Sequence, residues 1–317
     1  MPGLIDLHTH VYYGVSPFGI DPDPLMARSG VTTWVDAGSA GSANFEGFRR
    51  FVMDNSRSRI IPFINLSCIG IPSFYTTELE NRWNLHGPEL MRAVEANRDL
   101  IVGVKLRMSP GVNIKALFFG KRLAASLGLP IMVHFADYVI TLREILLSMG
   151  PGDILTHCYT GHGGGMVGPD GHIIPEVRSA MEKGVKLDVG HGCGSFSIDV
   201  VRTAMDEGIV PDTISTDLHT LSVNGPVFDQ PTTMSKFMAL GLSLEDVVIK
   251  STTTPAQILK REGELGTLQV GAAADVAVMT METGDFEFLD AYGSPFRGDK
   301  RLVNTLTVMG GEIVPRE

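Results

Sequence analysis

The chain has 317 residues, of which 44% are hydrophobic and 20% charged, and a formal net charge of −10. That composition fits one large globular domain, alone or with a small appendage, and an acidic surface repels phosphate backbones, so nucleic acid is not an expected partner. Three cysteines, Cys68, Cys158 and Cys193, lie far apart with no CxxC pair, which excludes a disulfide framework or a zinc knuckle and points to a reducing compartment. The most apolar stretch, residues 115–135, is broken by Lys121, Arg122 and Gly128-Leu129-Pro130. It reads as helix, turn and strand, so no membrane association is expected. The start shows no basic region followed by an apolar core, and cytoplasmic is the expected location.

Taken in chain order, short apolar runs rich in β-formers recur at residues 4–8, 31–37, 60–66, 101–106, 130–134, 153–157, 185–189 and 213–217. Their starts lie 23 to 41 residues apart, the scale of one strand–helix unit. Between them, 45–55, 89–97, 115–127, 142–149, 177–183 and 199–207 place apolar residues three or four apart and predict amphipathic helices. Strands buried on both faces read as near-continuous apolar runs, and eight alternating units predict a closed (β/α)8 TIM barrel rather than an open sheet. Two more helical stretches, 230–240 and 244–261, follow the eighth strand. The character then changes, because 266–281 and 302–315 alternate and carry the glycine turns of Gly271 and Gly310-Gly311. The expected layout is a barrel over residues 1–262 and a small, partial β appendage over 263–317.

Chemistry-bearing side chains fall at the ends of these strands. Asp6-Leu7-His8-Thr9-His10 closes the first; residues two apart on a strand face the same way, so both imidazoles can converge on one ion. An isolated HxH is otherwise a surface pair, and the strand-end position is what favours the ligand reading. His134 ends the fifth strand and His157 the sixth. Each alone would serve as a hydrogen-bonded structural histidine, whereas two more imidazoles at the same rim make a second metal position. Asp217 ends the eighth strand, beside the first across a closed barrel; alone it could equally cap the next segment. Lys105 lies inside the apolar fourth strand, where a bare ammonium is badly solvated and must be paired, deprotonated, modified or snorkelling to the rim.

These residues together resemble the amidohydrolase superfamily: Pro2-Gly3-Leu4-Ile5-Asp6-Leu7-His8-Thr9-His10, a lysine on strand four, single histidines on strands five and six, and an aspartate on strand eight. The segment Gly266 to Val278 looks like the place where such proteins leave the barrel for a small β-domain. Over essentially the whole chain the pattern is similar to the dihydroorotase-like branch, which includes a deacetylase group. The resemblance implies a metal-dependent hydrolase with two divalent ions, zinc by expectation. His8, His10 and Asp217 would hold the buried ion and His134 and His157 the exposed one, with N6-carboxylated Lys105 bridging them. A metal-activated hydroxide would attack, with Asp217 as general base and then acid. Members of that superfamily usually carry some tens of residues before the HxH motif, whereas seven precede His8 here. A misplaced start, a truncation or a reduced β-domain would each leave strand edges exposed.

Substrate contacts are thinner in the sequence. Arg107 shares a strand face with Lys105 and suits a carboxylate, or else pairs with an acidic rim neighbour. Tyr159 and His162 lie on the glycine-rich loop after strand six, and His191 on the loop after strand seven; each histidine could equally be structural. The leading expectation is hydrolysis of an amide or ester in a small, anionic acyl compound, with deacetylation of an acetylated hydroxy or amino acid favoured. A cyclic amidase such as dihydroorotase, or an aminohydrolase such as adenine deaminase, is the alternative, and a non-catalytic scaffold is remote because all six ligands are present. Assembly into a homo-oligomer stays open.

Overall fold

The computed structural model describes residues 1–109, 111–135 and 140–316. Seven parallel strands follow one another round a barrel: β1 (Leu4–Thr9), β2 (Val31–Ala37), β3 (Arg59–Asn65), β4 (Gly103–Met108), β5 (Ile131–Phe135), β6 (Ile154–Thr156) and β7 (Lys186–Asp188). The expected eighth strand is present as an irregular segment rather than a regular one. Thr213 bridges Asp188 and Leu218 bridges Thr9, both in parallel, and Asp217 N–H donates to the His8 carbonyl at 2.7 Å. The regular ladder breaks between those bridges because Thr216 turns its N–H and hydroxyl to the buried Asp6 carboxylate, at 3.0 and 2.5 Å. Asp217 then takes a left-handed φ of 48°. Barrel closure survives, and the carboxylate is aimed inward.

Helices alternate with the strands: α1 (Asp23–Ser29), α2 (Phe45–Phe51), α3 (Gly87–Ala96), α4 (Ile114–Ser126), α5 (Leu142–Ser148), α6 (Pro175–Glu182) and α7 (Ile198–Asp206). Their patterns explain their seating. In α7, Ile198, Val201 and Ala204 recur every third residue and are buried, while α5 starts on a capping box between Thr141 and Glu144. The seven-residue α1 escaped the periodicity reading, being too short for a repeating stripe; Pro24 in its first turn and left-handed Gly30 after its end delimit it.

After the barrel come α8 (Gln230–Ala239), α9 (Leu244–Ile249) and α10 (Thr253–Ile258). The sequence predicts one helix over 244–261, and the structure divides it. Pro255 has no N–H to give the Ser251 carbonyl four residues back, and that carbonyl instead accepts from Ile5 N–H at 2.9 Å. The break therefore docks α10 on the start of β1. There Ala256, Leu259 and Leu265 join Ile5, Leu7, Val35, Phe63 and Met132 in one buried cluster, closing the end of the barrel opposite the metal ligands.

The appendage is a separate antiparallel sheet of β8 (Val276–Leu289), β9 (Pro295–Met309) and β10 (Glu312–Ile313), ordered β10-β9-β8. Its hairpin is longer than the alternation indicated, since residues 282–301 are also strand or turn, whereas 266–275 is not strand. Asn304 and Thr307 bond carbonyls of α1, Leu302 N–H bonds Ser235 of α8, and Arg59 on β3 pairs with Asp275 at 2.5 Å. Pro2 bridges Val276 at the edge of β8. Among the described residues no helix is long and apolar enough to cross a membrane.

Candidate metal centre

The strand ends gather nitrogen and oxygen donors at one point. His8 Nε2 and His10 Nε2 lie 3.4 and 3.3 Å from the same oxygen, Asp217 Oδ1, and the ligand atoms of these three residues all fall within 4.8 Å of one another. Lys105 Nζ is 3.2 Å from His8 Nε2. His157 packs between His8 and His134, with ring centroids 4.9 and 4.1 Å away. The six residues expected as metal ligands are therefore neighbours at the C-terminal end of the barrel, where sites of this fold form.

Hydrogen bonds fix which nitrogen of each ring is bare. Thr156 donates its hydroxyl to Asp188 Oδ2 at 2.7 Å, so at 2.7 Å from His8 Nδ1 it accepts, leaving Nε2 as a lone pair. The Ser39 backbone N–H donates to Asp36 Oδ1 at 2.7 Å, which sets its hydroxyl 2.8 Å from His10 Nδ1. His157 Nδ1 donates to the Gly190 carbonyl at 2.6 Å, and its Nε2 is buried with no partner among the described residues. A buried imidazole nitrogen with no partner among the described residues, beside the His8–His10–Asp217 cluster, fits a divalent cation.

The local charge states agree. Burial, with Lys105 and His157 adding to it, drives His8 well below the ordinary imidazole range, and burial with the same kind of neighbours does so for His134. Burial brings His157 to about 4 despite the pull of Asp217. Neutral imidazole is the ligating form. For Asp217, burial pushes upward, but His219, His10 and His157 more than offset it, so the carboxyl stays far below its usual range and is anionic. Burial lowers Lys105 to about 8, so a neutral amine is accessible there.

This geometry is held under strain. His157 and Asp217 both adopt left-handed φ, 62° and 48°, a conformation costing on the order of 1–3 kcal/mol per residue and concentrated at functional sites. Two glycines leave room for it. A Cβ on Gly190 would sit 2.4 Å from Thr156 Oγ1 and 2.9 Å from His157 Nδ1, and one on Gly192 would sit 2.5 Å from Asp217 Oδ2. Thr156→Val keeps the shape of the side chain but removes the acceptor that orients His8. Its metal Kd is expected to rise about 10- to 100-fold, measured by competition with a chromogenic chelator; an unchanged Kd would show that β1 alone orients the ring.

At this point lies a cavity of about 50 Å³ lined by His10, Lys105, His134 and Asp217 together with Phe18, Ile71, Arg107 and His219. Of the four expected substrate contacts, only Arg107 lines it. Its Nε and Nη2 are held by the buried Glu78 carboxylate at 3.0 and 2.5 Å. Tyr159 is fully buried, near Phe237, with its hydroxyl 3.4 Å from the Ile209 carbonyl. His191 is likewise turned away, stacked on Phe196 and bonded to Lys236 at 2.7 Å. His162 lies on the side of the hairpin, its ring 5.9 Å from that of Tyr292. His219 is the residue the sequence reading passed over. Its Nδ1 accepts Leu221 N–H at 3.1 Å and its Nε2 faces Asp217 Oδ2 at 3.8 Å. Its place two residues after Asp217 was the available signal.

Neutral nitrogen donors set round a bare carboxylate at the mouth of a parallel barrel define a metal-assisted hydrolase. The chain belongs to the Amidohydrolase family, whose sequence profile matches residues 1–314, and it is a metal-dependent hydrolase. It is 36% identical to a protein of Brucella anthropi named deacetylase, across 99% of this chain and 79% of that one. A deacetylase of Enterococcus faecalis is 31% identical over 98% of this chain and 85% of its own. Among solved structures, one described as a dihydroorotase superposes with a TM-score of 0.91 at 37% identity, covering 98% of this chain and 83% of that one. One described as an adenine deaminase superposes with a TM-score of 0.94 at 31% identity, covering 98% and 86%.

Proposed function

We propose that the protein is a binuclear deacetylase that hydrolyses the acetyl ester or amide of a small anionic hydroxy or amino acid. The observation carrying the metal chemistry is the buried, partnerless His157 Nε2 beside the His8–His10–Asp217 cluster. In this reading His8, His10 and Asp217 hold one ion and His134 and His157 the other, with zinc the expected metal. Lys105 Nζ, buried and lowered to about 8, would react with carbon dioxide as the free amine, release one proton and, as a carbamate, add anionic oxygens to the ligand set. Two divalent ions held by these residues would supply an acidified water and a polarised carbonyl. A carboxylate oxygen of Asp217 would hold a proton and deliver it to the leaving oxygen or nitrogen.

The relatives named deacetylases, which match nearly the whole chain, support the acetyl group. Turnover of acetylated hydroxy and amino acids, with dihydroorotate and adenine in the same panel, tests the reading; hydrolysis of the ring compounds alone would overturn it.

Arg107, anchored by Glu78 and facing the cavity, is proposed to receive the substrate carboxylate. Arg107→Met is expected to lower kcat/KM about 10- to 1,000-fold for the acid, the scale of a lost charge-assisted contact, and to affect its neutral methyl ester far less. Equal losses for both would assign Arg107 to the rim alone.

A further inference from the structure

A second cavity, about 490 Å³, lies at the seam between α8, the 226–228 segment and the β8–β9 hairpin. Its volume is in the range of small-molecule sites and far exceeds the space over the metal ligands. Phe228, Phe286 and Phe288 give it an apolar wall, and Lys236 and Arg301 bring cationic side chains to it.

Lys236 is the unusual member. It is 1% exposed, and a buried ammonium ordinarily has a carboxylate against it. Here its Nζ donates to His191 Nε2 at 2.7 Å and to the Pro226 carbonyl at 2.9 Å. Both partners are neutral, and two of its three N–H groups are used. Among the described residues no carboxylate lies within ion-pair distance of it. Burial accordingly lowers it to about 7, with Asp290 and Asp229 acting only from farther off. At the outer wall, Arg301 lies over the Phe286 ring at 4.8 Å and shares Glu282 across the hairpin. Asp285 and Glu287 also line the cavity, but both are exposed and face Arg297. The rim carboxylates thus lie against Arg297 and Arg301, and among the described residues none pairs with Lys236.

We propose that this cleft is a second ligand site, distinct from the metal centre, for a small organic anion with an aromatic or branched apolar body. The anionic head would take the remaining N–H of Lys236 or the Arg301 guanidinium, and the body would lie against the three phenylalanines. The site connects to the metal centre through the protein. Lys236 holds His191, whose Nδ1 donates to the Gly192 carbonyl at 2.8 Å, and Gly192 is the residue packed against Asp217.

The test is calorimetric titration of the metal-loaded full chain with phenylacetate, and with benzyl alcohol as the neutral analogue. Binding of phenylacetate is expected to weaken about tenfold or more in Lys236→Met, the scale of a lost charge-assisted hydrogen bond. It should also weaken in Arg301→Gln and stay unchanged in Arg107→Met, with benzyl alcohol binding at least about tenfold more weakly. An affinity that falls with Arg107→Met but not with Lys236→Met would place the anion at the metal centre and overturn the proposal. So would the absence of any binding down to a Kd of about 10 mM. Should Lys236→Met lose the native circular dichroism, Arg301→Gln at the exposed rim decides in its place. None of these readings depends on which acyl compound the enzyme hydrolyses.

Discussion

Asp217→Asn is expected to fold, keep much of its metal and lose at least ~10²-fold in kcat, the usual scale of general acid–base catalysis. The proposed function gives the side chain two duties. Its Oδ1 sits 3.3–3.4 Å from the bare Nε2 atoms of His8 and His10, where one cation would be shared. Its Oδ2 faces His219 at 3.8 Å on the cavity side, where a proton would be received. Asparagine preserves the shape and one weakly ligating oxygen but offers no basic site. It also fits the left-handed backbone at 217, which asparagine tolerates as readily as aspartate. Metal content, circular dichroism and kcat measured on one preparation separate the cases: near-normal kcat with the metals in place would remove Asp217 from proton transfer.

Lys105→Ala is expected to lose more than ~10²-fold in activity, exceeding the 10- to 100-fold typical of outer partners of metal ligands. Lys105 is 1% exposed, and among the described residues its Nζ hydrogen-bonds only His8 Nε2 and Met132 Sδ, at 3.2 and 3.6 Å. Neither bond supplies the counter-charge that a permanent ammonium needs in such a place. The proposed carbamate would remove that charge. The alanine variant leaves a space in which a short carboxylic acid can stand for the missing oxygens, so acetate or propionate should restore part of the activity. Lys105→Arg should restore none, because guanidinium stays cationic and cannot take up carbon dioxide. Wild-type activity in Lys105→Ala would reduce the lysine to a packing residue.

The barrel and the gathering of the six candidate ligands at its mouth were legible because both follow from strict local rules. Apolar runs at a spacing of about thirty residues specify strand–helix units, and a polar side chain ending such a run has only the barrel mouth to face. His8, His10, Lys105, His134, His157 and Asp217 all stand at that position. The second layer is less legible. Thr156 and Ser39 orient the imidazoles, yet a threonine in a strand or a serine in a loop carries no mark of the bond it makes. His191 and Tyr159 lie on mouth-side loops, and the structure places their rings against Lys236 and the core around Phe237, which their loop positions do not reveal. The division between α9 and α10 was readable in principle, since Pro255 forbids one helical bond, and that consequence becomes visible only when Ile5 takes the freed carbonyl.

The central claim is that these six residues form a two-metal hydrolytic centre. Elemental analysis of protein purified without chelator, paired with hydrolysis of the best acetylated substrate, tests it most directly. About two divalent ions per chain are expected, with activity lost on chelation and regained on adding zinc with bicarbonate. A stable content of one ion or none, unchanged by zinc and bicarbonate in a fully active enzyme, would contradict it.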